Sequence, residues 1–97
     1  SIPPLAKTAT YTPTAADAGK CITTTHGVTI DNVWTAGDAL TIINTGSSDI
    51  TITQGGSFTL TNTSDAATGN RTLAAKGMVT IYFNTAATGF ISGSGLS

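Results

Sequence analysis

The sequence predicts an all-β domain: an antiparallel β-sandwich or a jelly-roll-like barrel of about seven to eight strands, with one short helical turn. Three observations support this fold class. Threonine is the most frequent residue, at 21 of 97, whereas glutamate is absent and lysine, leucine and arginine are scarce. Several segments alternate apolar and polar residues, and residues 50–53, which read ITIT, do so most clearly. Turn-forming residues separate the segments at intervals of about 8–12 residues.

One helical turn and then a series of strands are expected in chain order. Thr14 to Asp17 resembles a capping box and Gly19 suits the residue after a helix, so residues 14–19 are predicted to form the turn. Val33 and Trp34 are predicted to form a short apolar anchor. The strands are the apolar runs between turns rich in glycine, asparagine and aspartate. They cover residues 20–25, 28–30, 39–44, 50–54, 58–62, 71–73, 78–84 and 90–91.

Residues 1–9 are predicted to form an extended N-terminal arm, and residues 10–97 a single β domain. The arm contains two adjacent prolines, which favour an extended polyproline conformation and disfavour a helix or a central strand. It also carries two apolar side chains that suit contact with a neighbouring molecule. The candidates for contact with a partner are therefore Ile2, Pro3, Pro4 and Leu5.

Two of the predicted strands, residues 39–43 and 78–83, carry apolar residues at consecutive positions as well as alternate ones. In an antiparallel sheet with one wet face, every second residue should be polar, so both faces of these strands should be covered. A domain of this size has one core, and we expect the second face to be a contact between subunits. The alternative is that a loop of the same chain shields it. The candidates for this interface are Ile43, Met78, Tyr82 and Phe83.

The composition excludes several classes of function. Four basic and five acidic residues give a net charge of −1 with no basic cluster, which does not suit a nucleic-acid-binding protein. One cysteine and one histidine cannot form a structural zinc site or a disulfide framework. No apolar run approaches the ~20 residues of a membrane-spanning helix. We therefore expect no nucleic acid, metal, cofactor or membrane as a partner.

Catalytic chemistry has little support in the sequence. His26, the only candidate general base, precedes Gly27 in a predicted turn, and Cys21 begins a strand where it suits the core. A nucleophilic pair of these two would also need a third group to orient it, so we expect no catalytic residues and no enzyme. Of six aromatic residues, Tyr11 and Trp34 are the two that the core could spare to contact a sugar or a partner; the alternative is that both are buried.

Five segments of the chain, in order, carry a recognisable pattern. Residues 11–20 read YTPTAADAGK, residues 37–44 GDALTIIN, residues 52–55 ITQG, residues 68–74 TGNRTLA and residues 91–96 ISGSGL. Together they resemble a small β module of tailed-bacteriophage virion proteins. The resemblance extends over nearly the whole chain, and the order of the five segments makes it more specific than any one of them.

This resemblance implies a non-enzymatic structural protein on the surface of a virion, assembled in the host cytoplasm. Modules of this kind commonly end tail fibres, head fibres and other appendages, and related folds are often trimeric, so a homotrimer is expected. If the chain is complete, we expect a capsid decoration or cement protein that grips the major capsid protein through its arm. If the chain is an excised fragment, we expect the tip of a tail or head fibre, which binds a host surface glycan or receptor.

Overall fold

The computed structural model describes residues 4–97, and this part of the chain contains eight β-strands, one 3₁₀ turn and no α-helix. The predictions of a mostly-β domain of about eight strands and of one helical turn within residues 14–19 are confirmed. The turn covers Ala15–Asp17. The strands are β1 (Pro4–Lys7), β2 (Cys21–Thr24), β3 (Val28–Ile30), β4 (Ala39–Asn44), β5 (Ile50–Gln54), β6 (Thr59–Asn62), β7 (Arg71–Thr85) and β8 (Thr88–Leu96).

Two strands are longer than the sequence predicts. The predicted strands 71–73 and 78–84 are one strand of 15 residues, β7, because the chain passes through an irregularity at residues 74–77 and pairs with β8 on both sides of it. Within this irregularity Lys76 has a φ of 63°, a left-handed conformation of the kind found in β-bulges, which bend a strand. The predicted strand 90–91 is also extended, because the Gly- and Ser-rich end of β8 continues to pair with β7 as far as Leu96.

The purely antiparallel topology predicted for a sandwich or jelly-roll-like barrel is wrong, since the sheet is mixed. Among the described strands, β1 with β2, β2 with β4, β3 with β5 and β6 with β8 are parallel, whereas β7 pairs antiparallel with β4, β5 and β8. The physical reason is that the short turns connecting β2, β3, β4 and β5 are corners and not hairpins, whereas the turn between β7 and β8 is a hairpin. The His26–Gly27 turn, for example, leads from β2 into β3, and these two strands lie in different stacks.

Five of the strands form two parallel stacks that the chain visits in alternation, and β6 with β8 forms a separate parallel pair. One stack contains β1, β2 and β4, in which Pro4 pairs with Cys21 and Cys21 with Thr41. The other contains β3 and β5, and Tyr11 extends it by an isolated parallel bridge to Val28. The long strand β7 then joins both stacks into one sheet, because its first residues pair with β5 and its later residues pair with β4.

The curled sheet encloses one core, and its best-defined part is an aromatic cluster. The rings of Trp34 and Phe83 are stacked with centroids 3.9 Å apart and an interplanar angle of 10°. The ring of Phe58 meets Phe83 edge-on, at 5.7 Å between centroids. Burial of each large apolar side chain stabilises the fold by about 1.5–3 kcal/mol. The aliphatic residues around the cluster are Ile22, Val28, Ile30, Leu40, Ile42, Ile50, Ile52, Leu60, Leu73, Val79, Ile81 and Ile91.

Candidate interaction surface

The sheet presents an apolar surface to solvent on β4, β7 and β8. Side chains alternate along a strand, so Val79, Ile81 and Phe83 of β7 point into the core while the residues between them point outward. The outward residues include three large apolar side chains that are exposed: Met78 at 49%, Tyr82 at 51% and Phe90 at 42%. We call this surface the outer face and define it by Ile43, Met78, Thr80, Tyr82, Phe90 and Ser92.

The strand register brings the apolar residues of the outer face together in pairs. Tyr82 on β7 lies opposite Phe90 on β8, and Met78 lies opposite Ile43 on β4. Directly opposite side chains have Cβ atoms about 4.5–5.5 Å apart, so each pair is in contact range. Between the pairs lies Thr80, whose hydroxyl oxygen is 3.2 Å from that of Thr41, at hydrogen-bond distance. The outer face therefore has an aromatic pair at one end and an aliphatic pair at the other.

The outer face carries no charged side chain within the described chain. The outward residues of β4, of β8 and of residues 78–84 are alanine, threonine, isoleucine, methionine, tyrosine, asparagine, phenylalanine and serine. Lys76 lies beyond one end of it, where its ammonium group donates a hydrogen bond to the Thr45 carbonyl oxygen. No described loop covers the exposed Met78 and Tyr82, so the alternative of shielding by a loop of the same chain has no support in residues 4–97.

The interface candidates from the sequence divide between the outer face and the core. Met78 and Tyr82 lie on the outer face and are exposed, and Ile43 lies there half-buried. Phe83 has no exposed surface, because it is the next residue after Tyr82 and so points to the opposite side of the strand. Its assignment to a subunit interface is corrected: it is a core residue. Sequence reasoning missed Phe90, whose position opposite Tyr82 depends on the β7–β8 register.

The structure describes residues 4–9 of the predicted arm. Pro4 and Leu5 belong to β1, which pairs with β2 along one edge of the sheet. Pro4 is exposed, whereas Leu5 is half-buried and packs against the core. The other two candidates for partner contact, Ile2 and Pro3, lie outside the described residues.

Neither aromatic residue proposed for ligand contact is free. Trp34 is 3% exposed and its ring is covered by Phe83; its indole Nε1 is buried with no hydrogen-bond partner among the described residues. The Tyr11 hydroxyl donates a hydrogen bond of 2.5 Å to the carboxylate of Asp17. The ammonium group of Lys7 lies 3.7 Å from the centre of the Tyr11 ring, a cation–π contact that covers one ring face.

The carboxylate of Asp17 contacts three residues of the segment between β1 and β2. Besides Tyr11, its buried carboxylate accepts a hydrogen bond from the backbone N–H of Thr14 at 2.9 Å, and the ammonium group of Lys20 lies 3.9 Å away. Burial by itself raises the pKa of Asp17, but the hydrogen bonds from Tyr11 and Thr14 and the charges of Lys20 and Lys7 outweigh it, so the pKa is lowered. The same hydrogen bond, with burial and the charge of Asp17, raises the pKa of Tyr11 to about 12.

We predict that Asp17→Asn lowers the free energy of unfolding by about 1–3 kcal/mol at neutral pH. The variant loses the carboxylate that accepts hydrogen bonds from the Tyr11 hydroxyl and the Thr14 backbone N–H. The pKa of Asp17 in the folded protein lies below its ordinary value of 3.8, so the stabilising effect of its charge is present above that pH and is lost as the pH falls through the folded-state pKa. Urea unfolding of both proteins at pH 7 and at about pH 2 measures this difference.

The exposed loop residue Asp49 supplies the matched control, and Asp49→Asn should change stability little at either pH. An equal difference between the wild type and Asp17→Asn at both pH values would show that the charge of Asp17 does not stabilise the fold.

The two residues considered for catalysis, Cys21 and His26, do not line a pocket among the described residues. Cys21 is half-buried on β2, and burial raises the pKa of its thiol. His26 is exposed in the turn that follows, where its backbone N–H donates to the Thr24 hydroxyl at 2.9 Å. Residues 4–97 contain no pocket and no group of three potential metal-binding residues, and none of their segments is a helix able to cross a membrane.

Comparisons of the chain with protein-family models, with curated proteins and with solved structures found no match.

Proposed function

We propose that this chain is a non-enzymatic structural protein of a bacteriophage virion, and specifically a trimeric decoration protein on the capsid surface. The observation that carries the proposal is the outer face: an uncharged sheet surface with exposed Met78, Tyr82 and Phe90. Exposed apolar side chains grouped on one uncharged face are typical of sites of protein association. The five sequence segments that resemble a virion β module support the same class of function.

The N-terminal segment is the proposed contact with the shell. It leads into β1, the strand at one end of the order β1-β2-β4-β7-β5-β3, so the described part of the chain starts at an edge of the sheet. Because β1 pairs with β2 and Leu5 packs on the core, removal of all nine residues of the predicted arm would also remove part of the domain. A test of shell binding has to spare β1.

We predict that deleting residues 1–3 lowers binding to undecorated capsids at least about tenfold, a loss of about 1.4 kcal/mol in binding free energy. The apolar side chains Ile2 and Pro3 would no longer contact the shell, whereas β1 and the fold would remain. Cosedimentation of the protein with capsids measures the binding, and circular dichroism checks the fold. A second variant in which residues 1–3 are replaced by Gly-Ser-Gly keeps the length and should fail in the same way. Full binding by both variants would contradict the proposed role of the arm.

The alternative function is a fibre tip that binds a host surface glycan or receptor. Its proposed contacts, Tyr11 and Trp34, are engaged within the domain, so the aromatic platform open to a sugar is instead Tyr82 with Phe90. A glycan array separates the two functions. A glycan that binds the wild type but not Tyr82→Ser, together with no binding to capsids, would favour the fibre tip.

A further inference from the structure

We propose that the outer face is the surface on which further copies of this chain dock, with the Tyr82–Phe90 pair as the anchor of the contact. The inference rests on the proposed structural function and deepens it, since it assigns the association to one surface and one partner. Tyrosine, phenylalanine and methionine are enriched at the centres of protein interfaces, and here they lie on adjacent strands at matched register.

The absence of charge points to an identical partner. In a closed ring of identical subunits, residues near the symmetry axis meet their own equivalents, so any charge there would face like charges. None of Ile43, Met78, Thr80, Tyr82, Phe90 and Ser92 is charged. A partner recognised by its charge, such as a nucleic acid or an acidic peptide, would find no counter-charge on this face.

The polar groups of the outer face also suit a copy of itself. Thr80 and Ser92 lie opposite each other in the middle of the face. A hydroxyl group both donates and accepts hydrogen bonds, so it can pair with the same hydroxyl of a second copy. A sugar platform would instead need amide or charged groups beside the aromatic rings to satisfy the sugar hydroxyls. The neighbours of Tyr82 and Phe90 across the strands are Ala39 and Thr61, which offer one hydroxyl between them. The nearest outward amide is that of Asn84, and its oxygen already accepts a hydrogen bond from the Thr88 hydroxyl at 2.8 Å.

The test introduces the same negative charge at two exposed threonines, one on the outer face and one away from it. Thr80→Asp puts a carboxylate in the middle of the outer face, whereas Thr51→Asp puts the same group on an exposed position of β5 away from it. We expect the wild type to sediment as an oligomer of the 9.7 kDa chain and Thr51→Asp to match it. Thr80→Asp should raise the dissociation constant at least about tenfold, because its charge is desolvated against like charges.

A second variant covers the possibility that Thr80→Asp unfolds through its contact with Thr41. Ser92→Asp lies beside Thr80 on β8 and should weaken association to a similar extent. A monomeric wild type at about 100 μM, or unchanged association in both variants, would overturn the inference. Capsid binding by a monomeric wild type would leave the decoration function standing but not its trimeric state, and this inference would fail. An oligomer that associates through the outer face but does not bind capsids would support this inference while the decoration function fails.

Discussion

Phe83→Ala is expected to destabilise the domain by about 3–5 kcal/mol, which is enough to unfold much of a small protein. Phe83 is fully buried, stacked on Trp34 and met edge-on by Phe58. Truncation removes the apolar burial of the ring and both aromatic contacts, and it leaves a cavity that rigid strands on either side cannot close. Trp34 is the only tryptophan of the chain, so its fluorescence follows urea unfolding and reports directly on this cluster.

The neighbouring residue on the same strand is the control for this substitution. Tyr82 points to the opposite side of β7 and is 51% exposed, so Tyr82→Ala should cost less than about 1 kcal/mol when the protein is dilute enough to be monomeric. Equal losses for the two variants would mean that Phe83 does not belong to the core, and would return it to the list of interface candidates.

Gly93→Ala is expected to destabilise the domain by at least about 2–3 kcal/mol. Gly93 lies on β8 opposite Val79 and has a φ of 153°, a backbone conformation that residues with a side chain rarely adopt. A Cβ atom added there would overlap the Met78 carbonyl oxygen and lie 2.7 Å from the Val79 Cα atom. Because both obstacles are backbone, relief requires that β7 and β8 move apart along their longest shared ladder.

Gly56→Ala serves as the matched control for the second substitution. No atom lies within 4 Å of a Cβ added at Gly56, so this variant should keep its stability within about 0.5 kcal/mol of the wild type. Thermal unfolding of the two variants beside the wild type gives the comparison. Similar midpoints for Gly93→Ala and the wild type would show that the β7–β8 ladder tolerates a wider spacing than the structure has.

Much of the strand pattern could be predicted from the sequence, because alternation and turn residues are local signals. Three strands, β3, β4 and β5, have the predicted bounds. Strand pairing could not be predicted in the same way. A turn at Gly27 or Gly37 shows where the chain changes direction, but a hairpin and a corner between two stacks have the same local signature. The parallel pairing of β2 with β4 depends on which distant strand buries the same row of side chains.

The outer face was partly predictable for the same reason. Consecutive apolar residues in β7 indicate that both sides of the strand contact apolar surroundings, and this singles out Met78 and Tyr82. Strict alternation also places Phe83 opposite to Tyr82, so the two cannot share one face. Phe90 has no comparable signal, because its neighbours in β8 are mostly glycine and serine. Only the register with Tyr82 assigns it to the outer face.

The most direct test of the outer face as an association surface is the oxidation of Met78 by hydrogen peroxide over a range of protein concentrations. Met78 is the only methionine of the chain and is 49% exposed in the single subunit, so its sulfoxide can be read without ambiguity from peptide masses. If copies dock through the outer face, oxidation should slow as concentration rises and association buries the thioether, and Thr80→Asp should abolish this slowing. A rate of Met78 oxidation that is the same at all concentrations, in a protein that sediments as an oligomer, would show that the subunits associate through another surface.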